Sequence, residues 1–541
     1  MLFVLFPILS IMKIMKKDPK SYKRKKVVKI SVLSLLLLLS FYIGSIFYIF
    51  NDLVNETTIG EVEDSEFIAP NVSALENWSF IFNYHLDTYH LPFDYPLSVY
   101  WNENFTEVQR YETAGDAGGF TGNFLGVSAF RYAWAKRIGN MSELMAAKAQ
   151  LIRLLNGTRL LYSVPNGGIG PNYPAILARS IIPKNYSGVP VNHLAPPEVL
   201  NFSDVFNGVG EYSDWWYLGY PSIDHQSGMI FGLTMLAQLV CPYEPDIAEF
   251  VSLLTQQIVK YFLKQDFLLA DGNGRTTGQQ LRFGPETSGY WVLSLLKMAQ
   301  VANPNNSRYR DLYFHFVYER DYLALIYPII RNGAFHLTNY YSLALQYYII
   351  FGLAFCETDP FLKSVYLDLV ERYFQKETSI SRNPFFNVCY LAMMEKNDTF
   401  IIRDIGDQLM RFGVESEDNR TKVPERGEPT SPIREEQWGR PRVTYWRNFM
   451  KNHTFGRIFY GWLEPILLPD DSMILNSPKT TDQYPSEDCI FERNPWLIHE
   501  DWGDRTYRQD FDLSFLLPYY MARYFQLFEY LESLPNQGGV I

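Results

Sequence analysis

Six stretches of this chain read as helices with almost no polar face: Phe124–Trp134, Met229–Val240, Tyr290–Val301, Tyr340–Phe355, Phe386–Met394 and Leu513–Phe525. In the second of them Met229, Leu233, Leu236 and Val240 recur at helical spacing, and Ile230, Phe231 and Leu239 fill the gaps. A helix that is apolar all round has to be buried. Amphipathic segments alternate with these six. Ile247–Phe262 carries Ile247, Phe250, Val251, Leu254, Ile258 and Phe262 on one stripe, and Phe361–Tyr373 carries Phe361, Val365, Leu369 and Tyr373. Ser142–Leu161, Tyr309–Tyr327 and Thr399–Met410 repeat the pattern, and Ala74–Tyr89 reads as a further helix near the start. Strand signals are sparse. The rhythm predicts an all-α array in which an outer helical layer covers an inner one.

The N-terminus follows different rules. Residues 1–29 hold nine Lys and Arg against the single acid Asp18, which leaves 39 basic and 58 acidic residues in the remainder, a net charge of −19. An acidic body of this kind argues against nucleic acid as a partner. Ile30 to Phe50 is 21 residues without a charge, enough to span a hydrocarbon core at helical rise. The basic block before it and the acids after it (Asp52, Glu56, Glu61, Glu63) predict a cytoplasmic segment 1–29, a transmembrane helix 30–50 in the lipid bilayer, and residues 51–541 outside the cell membrane. A cleaved signal peptide is the competing reading, but no A-x-A-like site follows. Twelve N-x-S/T sequons lie beyond the span, at Asn55, Asn71, Asn77, Asn104, Asn140, Asn156, Asn185, Asn201, Asn305, Asn397, Asn419 and Asn452. They agree with a glycosylated extracellular part. The four cysteines (Cys241, Cys356, Cys389, Cys489) form no CxxC pair, so zinc is not indicated and disulfide pairing stays open. No motif calls for a cofactor or a metal ion.

Beyond the span, residues 51–110 read as a stem followed by the first helix, and 111–541 as the helical domain, with a charged, Pro-bearing insertion over 413–510 before the last buried helix. Each buried helix is preceded by a polar segment, glycine-bearing in every case but Ser379–Pro384: Gly115–Asn123, Asp214–Gly228, 282–289, 331–339, Ser379–Pro384 and Asp501–Asp512. Six helix N-termini carrying acids, amides and aromatics predict a toroid with one functional rim, on which the helix dipoles converge. The glycines of 115–119 follow no strand and precede no Lys-Ser/Thr, so a phosphate loop is not indicated.

Three segments carry a resemblance to the six-hairpin glycosidase superfamily. Gly115-Asp116, Thr121-Gly122-Asn123-Phe124-Leu125 and Phe130-Arg131-Tyr132-Ala133, closing with Ala178-Arg179-Ser180, are similar to an opening hairpin found in members of unassigned activity. Ser222-Ile223-Asp224, Gly228 and Phe231-Gly232-Leu233, with Asp271-Gly272-Asn273-Gly274-Arg275-Thr276-Thr277, resemble a second pair, although Gly278 stands where a Trp is usual. Asp512, Phe515-Leu516-Leu517-Pro518-Tyr519-Tyr520 and Arg523-Tyr524 look like the closing helix. The resemblance spans most of 110–530 and implies an (α/α)6 toroid. It fixes no reaction, since fold does not imply function.

Glycoside hydrolysis needs two carboxyl groups across the scissile bond. Asp224 and Asp116 are the candidate pair, with His225 beside Asp224 as a further catalytic candidate and Arg179, Trp215, Trp216, Glu286, His336, Trp502 and Asp504 as substrate-binding candidates. Capping is an equally simple role for Asp224 and for Asp116. The sequence therefore points to a membrane-anchored extracellular protein acting on glycans, a glycoside hydrolase in first place. A polysaccharide lyase or uronate-acting enzyme using His225, His336 and Arg179, and a non-catalytic glycan-binding or cell-surface structural protein, stay open beside it.

Overall fold

The computed structural model describes residues 67–112, 114–192, 194, 204–282, 289–326, 340–375, 378–379, 381–413, 472–475, 477–484, 493–499 and 507–533. All of them belong to one of the chain's two compact units, Gly60–Arg440 with Met450–Ile541; the other, Met1–Ile59 with Pro441–Phe449, lies outside the described residues, as does the predicted span 30–50. Among the described residues no helix is long and apolar enough to cross a membrane.

The described residues are mostly helical. In chain order the helices are α1 (Val72–His85), α2 (Ala117–Arg137), α3 (Met141–Asn166), α4 (Ile223–Leu239), α5 (Pro245–Lys264), α6 (Gly289–Ala302), α7 (Ser307–Phe314), α8 (Tyr340–Phe355), α9 (Pro360–Leu369), α10 (Pro384–Met394), α11 (Thr399–Met410), α12 (Leu513–Tyr524) and the short α13 (Leu527–Ser533). The even-numbered helices are the six apolar ones. They are buried on nearly every side, and each packs on the next around a closed ring: α2 on α4, α4 on α6, α6 on α8, α8 on α10, α10 on α12, and α12 back on α2. The odd-numbered helices lie outside, α3 against α2, α5 against α4 and α6, α7 against α6, α9 against α8, α11 against α10 and α1 against α12. Hydrophobic burial accounts for this division of labour. An all-apolar helix loses most of its water-exposed surface only when surrounded, whereas an amphipathic one such as α5 buries Ile247, Val251, Leu254, Ile258 and Phe262 and leaves its other face to water.

One expectation needs correcting at α2. The segment Gly115–Asn123 reads as a loop, yet the helix already begins at Ala117. Its glycines exist for packing. A Cβ at Gly122 would overlap the backbone of Gly228, one at Gly228 would meet the carbonyl of Gly119, and one at Gly232 would meet that of Gly122. Glycine at these positions lets α2 and α4 approach backbone to backbone, a gain that outweighs its poor helix propensity.

The polar segments that lead into the buried helices are partly strands. A three-stranded sheet, β10 (Arg508–Gln509), β1 (Ser98–Trp101), β2 (Val108–Glu112), ends just before α2 and α12. A second, β3 (Ser180–Pro183), β5 (Trp215–Leu218), β4 (Val205–Asn207), leads into α4, and the hairpin β6 (Leu268–Ala270)–β7 (Thr276–Gln280) leads toward α6. The remaining pair is β8 (Ser472–Ile474) with β9 (Leu497–His499). Residues 67–110 pack into the helical body, with Phe82 against Phe412 and Phe515. Within the predicted insertion 413–510, the described part around Thr481 returns to α11, where its backbone N–H donates to Gln408 Oε1 at 2.9 Å. Cys241, Cys356 and Cys389 are free thiols; Cys489 is outside the described residues.

Candidate functional site

Helix α4 starts with Ser222, whose extended backbone is that of an N-cap. The third residue of the helix, His225, closes the cap. Its Nδ1 accepts from the Ser222 backbone N–H at 3.1 Å and lies 2.7 Å from Ser222 Oγ. Because a backbone N–H can only donate, Nδ1 is the acceptor nitrogen and the proton sits on Nε2. That Nε2–H donates to the carbonyl of Gly115 at 2.8 Å. The ring is 1% exposed, and burial, reinforced by the nearby Arg179 charge, pulls its pKa down to about 3. His225 is neutral at ordinary pH, with both nitrogens engaged by the protein.

Arg179 is a clamp on the same turn. Its guanidinium donates to Gly115 O at 3.0 Å and to Tyr220 O at 2.8 Å, while its own carbonyl accepts from Gly118 N–H at 2.7 Å. The Gly115 carbonyl thus takes donors from two elements, and the turn that carries Asp116 is locked onto the start of α4. Asp116 occupies the N-cap position of α2; its side chain is 54% exposed and its Oδ1 is 3.9 Å from His225 Nε2. Asp224 is half-buried in the first turn of α4 and has no polar partner among the described residues.

These elements line one depression, bounded by Asp116, Gly119, Phe120 and Asn123 of α2, Asp224 and His225 of α4, and Tyr341 and Leu345 of α8. The spacing explains the set. Asp116, Gly119/Phe120 and Asn123 recur along one helical face, and Tyr341 and Leu345 lie one turn apart. The room between them is about 20 Å³, close to that of a single water-sized group. Two carboxyl groups and the N-terminal ends of two helices meet there. Among the described residues no cluster of three His, Cys, Asp or Glu side chains is placed to hold a metal ion.

The structure brings Asp116, Asp224 and His225 together, with Arg179 directly behind. Trp215 and Trp216 are not part of the depression. They are half-buried residues of β5, paired with Pro183 and Ile182, and the residue that faces inward is Tyr217, stacked on Phe206 at 5.5 Å. Trp496 is fully buried, its Nε1–H donating to Tyr340 OH. Glu286, His336, Trp502 and Asp504 lie outside the described residues. Phe120, Asn123 and Tyr341 were not singled out by sequence reasoning. A signal existed for Asn123, an amide one turn beyond Gly119 at the head of an otherwise apolar helix. Of the sequons, Asn71, Asn104, Asn140, Asn156, Asn185, Asn305 and Asn397 are exposed and Asn77 is half-buried; Asn55, Asn201, Asn419 and Asn452 lie outside the described residues.

No protein-family model matches this chain, and no curated protein matches it. Among solved structures, it is similar to a GH family 9 endoglucanase J30 at 13% identity and a TM-score of 0.35, over 76% of this chain and 73% of that one. A zinc-binding triple mutant of the same endoglucanase gives 12% identity, the same TM-score and the same coverage. The architecture of this chain therefore rests on its own helix contacts.

Proposed function

We propose that this protein is a glycan-active enzyme of hydrolase type, built on an (α/α)6 toroid of the six-hairpin glycosidase kind, with Asp116 and Asp224 as its carboxyl pair. The observation that carries the reading is the shared depression: two acids far apart in sequence rise from the first turns of adjacent buried helices and line the same small space. The closed ring of six buried helices supports the toroid. Hydrolysis across a glycosidic bond requires such a pair, one carboxyl protonating the leaving oxygen and the other acting on the anomeric carbon or on a water. His225 and Arg179 act through position, by holding the Asp116 turn against α4. Phe120 and Tyr341 supply ring faces for a sugar.

The lyase or uronate reading needs a base with a free nitrogen and an arginine turned to the substrate. His225 and Arg179 spend those groups on Gly115, Ser222 and Tyr220. A non-catalytic glycan-binding role is favoured by one observation, the small room between the lining residues.

The anchor belongs to the same proposal. Residues 30–50 hold the chain in a bilayer with the N-terminus inside and the helical domain outside, and the exposure of seven described sequons is consistent with glycosylation there. The test of function is release of reducing ends from a panel of neutral, amino and acidic polysaccharides, with unsaturated uronate products read in the same samples. Reducing ends without unsaturation support the proposal; unsaturated product, or binding without turnover, overturns it. Protease protection in sealed vesicles, with mobility before and after enzymatic deglycosylation, tests the topology.

A further inference from the structure

Helix α8 touches two cavities. Its start brings Tyr341 to the depression described above, and its end brings Ala354 and Phe355 to a second cavity. The two ends are about 20 Å apart at helical rise. The second cavity measures about 360 Å³. Its floor is apolar: Leu391 and Met393 of α10, Leu527 of α13, and the half-buried rings of Phe355 and Phe525, packed edge to face with centroids 5.7 Å apart. The rim is polar, but its charges are paired. Lys363 Nζ meets Glu395 at 2.9 Å, and Lys396 Nζ meets Glu371 at 3.2 Å while donating to Tyr390 OH at 2.9 Å. Asn397 completes the rim. It stands exposed in the link between α10 and α11, and its amide has no hydrogen-bond partner among the described residues, whereas Asn71 and Asn140 spend theirs on N-caps. With Thr399 two residues on, Asn397 is an N-x-T acceptor at the mouth of an apolar cavity.

We infer that this cavity seats the first sugar rings of an N-linked glycan carried by Asn397, an assignment that rests on the extracellular placement proposed above. Attachment is a transfer from a lipid-diphosphate oligosaccharide. The Asn397 Nδ2 bonds to the anomeric carbon of the first N-acetylglucosamine as the carbon–oxygen bond to the diphosphate breaks; the electron pair leaves with the diphosphate, and the amide gives up one proton. The first sugar is then tethered at the edge of the cavity, so seating it costs little association entropy. Its C–H face suits the Phe355 and Phe525 rings, and its hydroxyl and acetamido groups suit the paired charges around them. The volume lies within the range of about 300–1,000 Å³ typical of pockets that hold small ligands. A free anion would have to break the Lys363–Glu395 or the Lys396–Glu371 pair, and a wholly apolar ligand would strip water from the Asn397 amide without replacing it.

The test uses the full-length chain made in N-glycosylating cells restricted to high-mannose glycans and extracted in detergent. Occupancy of each sequon is read by glycopeptide mass spectrometry, and the native protein is digested with an endoglycosidase that cuts between the two core N-acetylglucosamines. Asn397 is expected to be occupied, and its glycan to be released at least about tenfold more slowly than those on exposed sequons outside the cavity, such as Asn185 and Asn305, with the difference lost on denaturation. Ala392→Phe, which fills the cavity, should leave Asn397 occupied and bring its release up to the rate of the others. Asn397→Gln should lower the urea midpoint, and Asn305→Gln should not. Equal release rates in the native protein, or an unchanged midpoint in Asn397→Gln, overturn the seat. Glycans at other sequons but not at Asn397 overturn it and leave the extracellular placement standing. A chain without glycan at any sequon overturns both.

Discussion

The Nε2–H of His225 donates to the carbonyl oxygen of Gly115 at 2.8 Å, and this bond joins the two turns from which Asp116 and Asp224 rise. The geometry of the candidate carboxyl pair is thereby set by a neutral imidazole rather than by the acids themselves.

That neutrality makes stability depend on pH. His225 and the fully buried His90, whose Nδ1 bonds the Leu97 carbonyl at 2.9 Å, both have their pKa pulled from 6.5 to about 3 by burial. In the unfolded chain they bind a proton near pH 6.5; in the folded protein they do not until about pH 3. Their contribution is therefore fully present above pH 6.5 and is lost as pH falls below it, by about 1.4 kcal/mol per pH unit for each ring. Urea midpoints measured between about pH 8 and about pH 5 should fall on acidification, and His225→Asn should show a shallower fall from a lower starting point. An unchanged slope in the variant would contradict the assignment.

Gly122 sits where α2 and α4 cross backbone to backbone. Gly122→Ala should cost stability by about 1–3 kcal/mol or more, despite alanine's better helix propensity, because the helices must separate. Gly139→Ala is the control for a glycine with open space, where only its left-handed backbone opposes the change. Chemical denaturation of both variants checks the order.

A buried ion pair lies outside the candidate site. Lys297 of α6 meets Glu357 at 2.9 Å, both side chains 2% exposed or less, and Tyr313 OH donates to the same carboxylate at 2.6 Å. Desolvation lowers the Lys297 pKa below its ordinary value. Glu357→Ala strands the ammonium and should destabilise by about 3–5 kcal/mol, while the joint change Lys297→Met, Glu357→Leu should cost far less. Unfolding of the singles and the double decides it.

The helical scaffold was legible because burial writes itself into periodicity. Tyr340–Phe355 and Thr399–Met410 occur with the bounds the pattern predicts. The first turns of α2 were not, because Gly118, Gly119 and Gly122 look like loop residues until their partner helix is known. Strands of two to five residues, such as Trp215–Leu218, are too short for alternation to declare itself. Asp224 could be read from its place at a helix start, and Asp116 from the polar segment ahead of a buried helix. The ties of His225 and Arg179 to Gly115, and the inward amide of Asn123, depend on contacts across the ring that spacing does not encode. Dense tryptophan at 215–216 suggested a binding face, and in the structure both residues lie half-buried on β5, the central strand of a small sheet and outside the depression.

The most direct test of the carboxyl pair is turnover of the preferred polysaccharide by wild type, Asp116→Asn, Asp224→Asn and the double variant, with unfolding midpoints measured alongside. Each single change should lower kcat by about 10²–10⁴-fold, and the double should fall little further, as residues acting in one step do. Either single variant retaining wild-type turnover while folded would contradict the account.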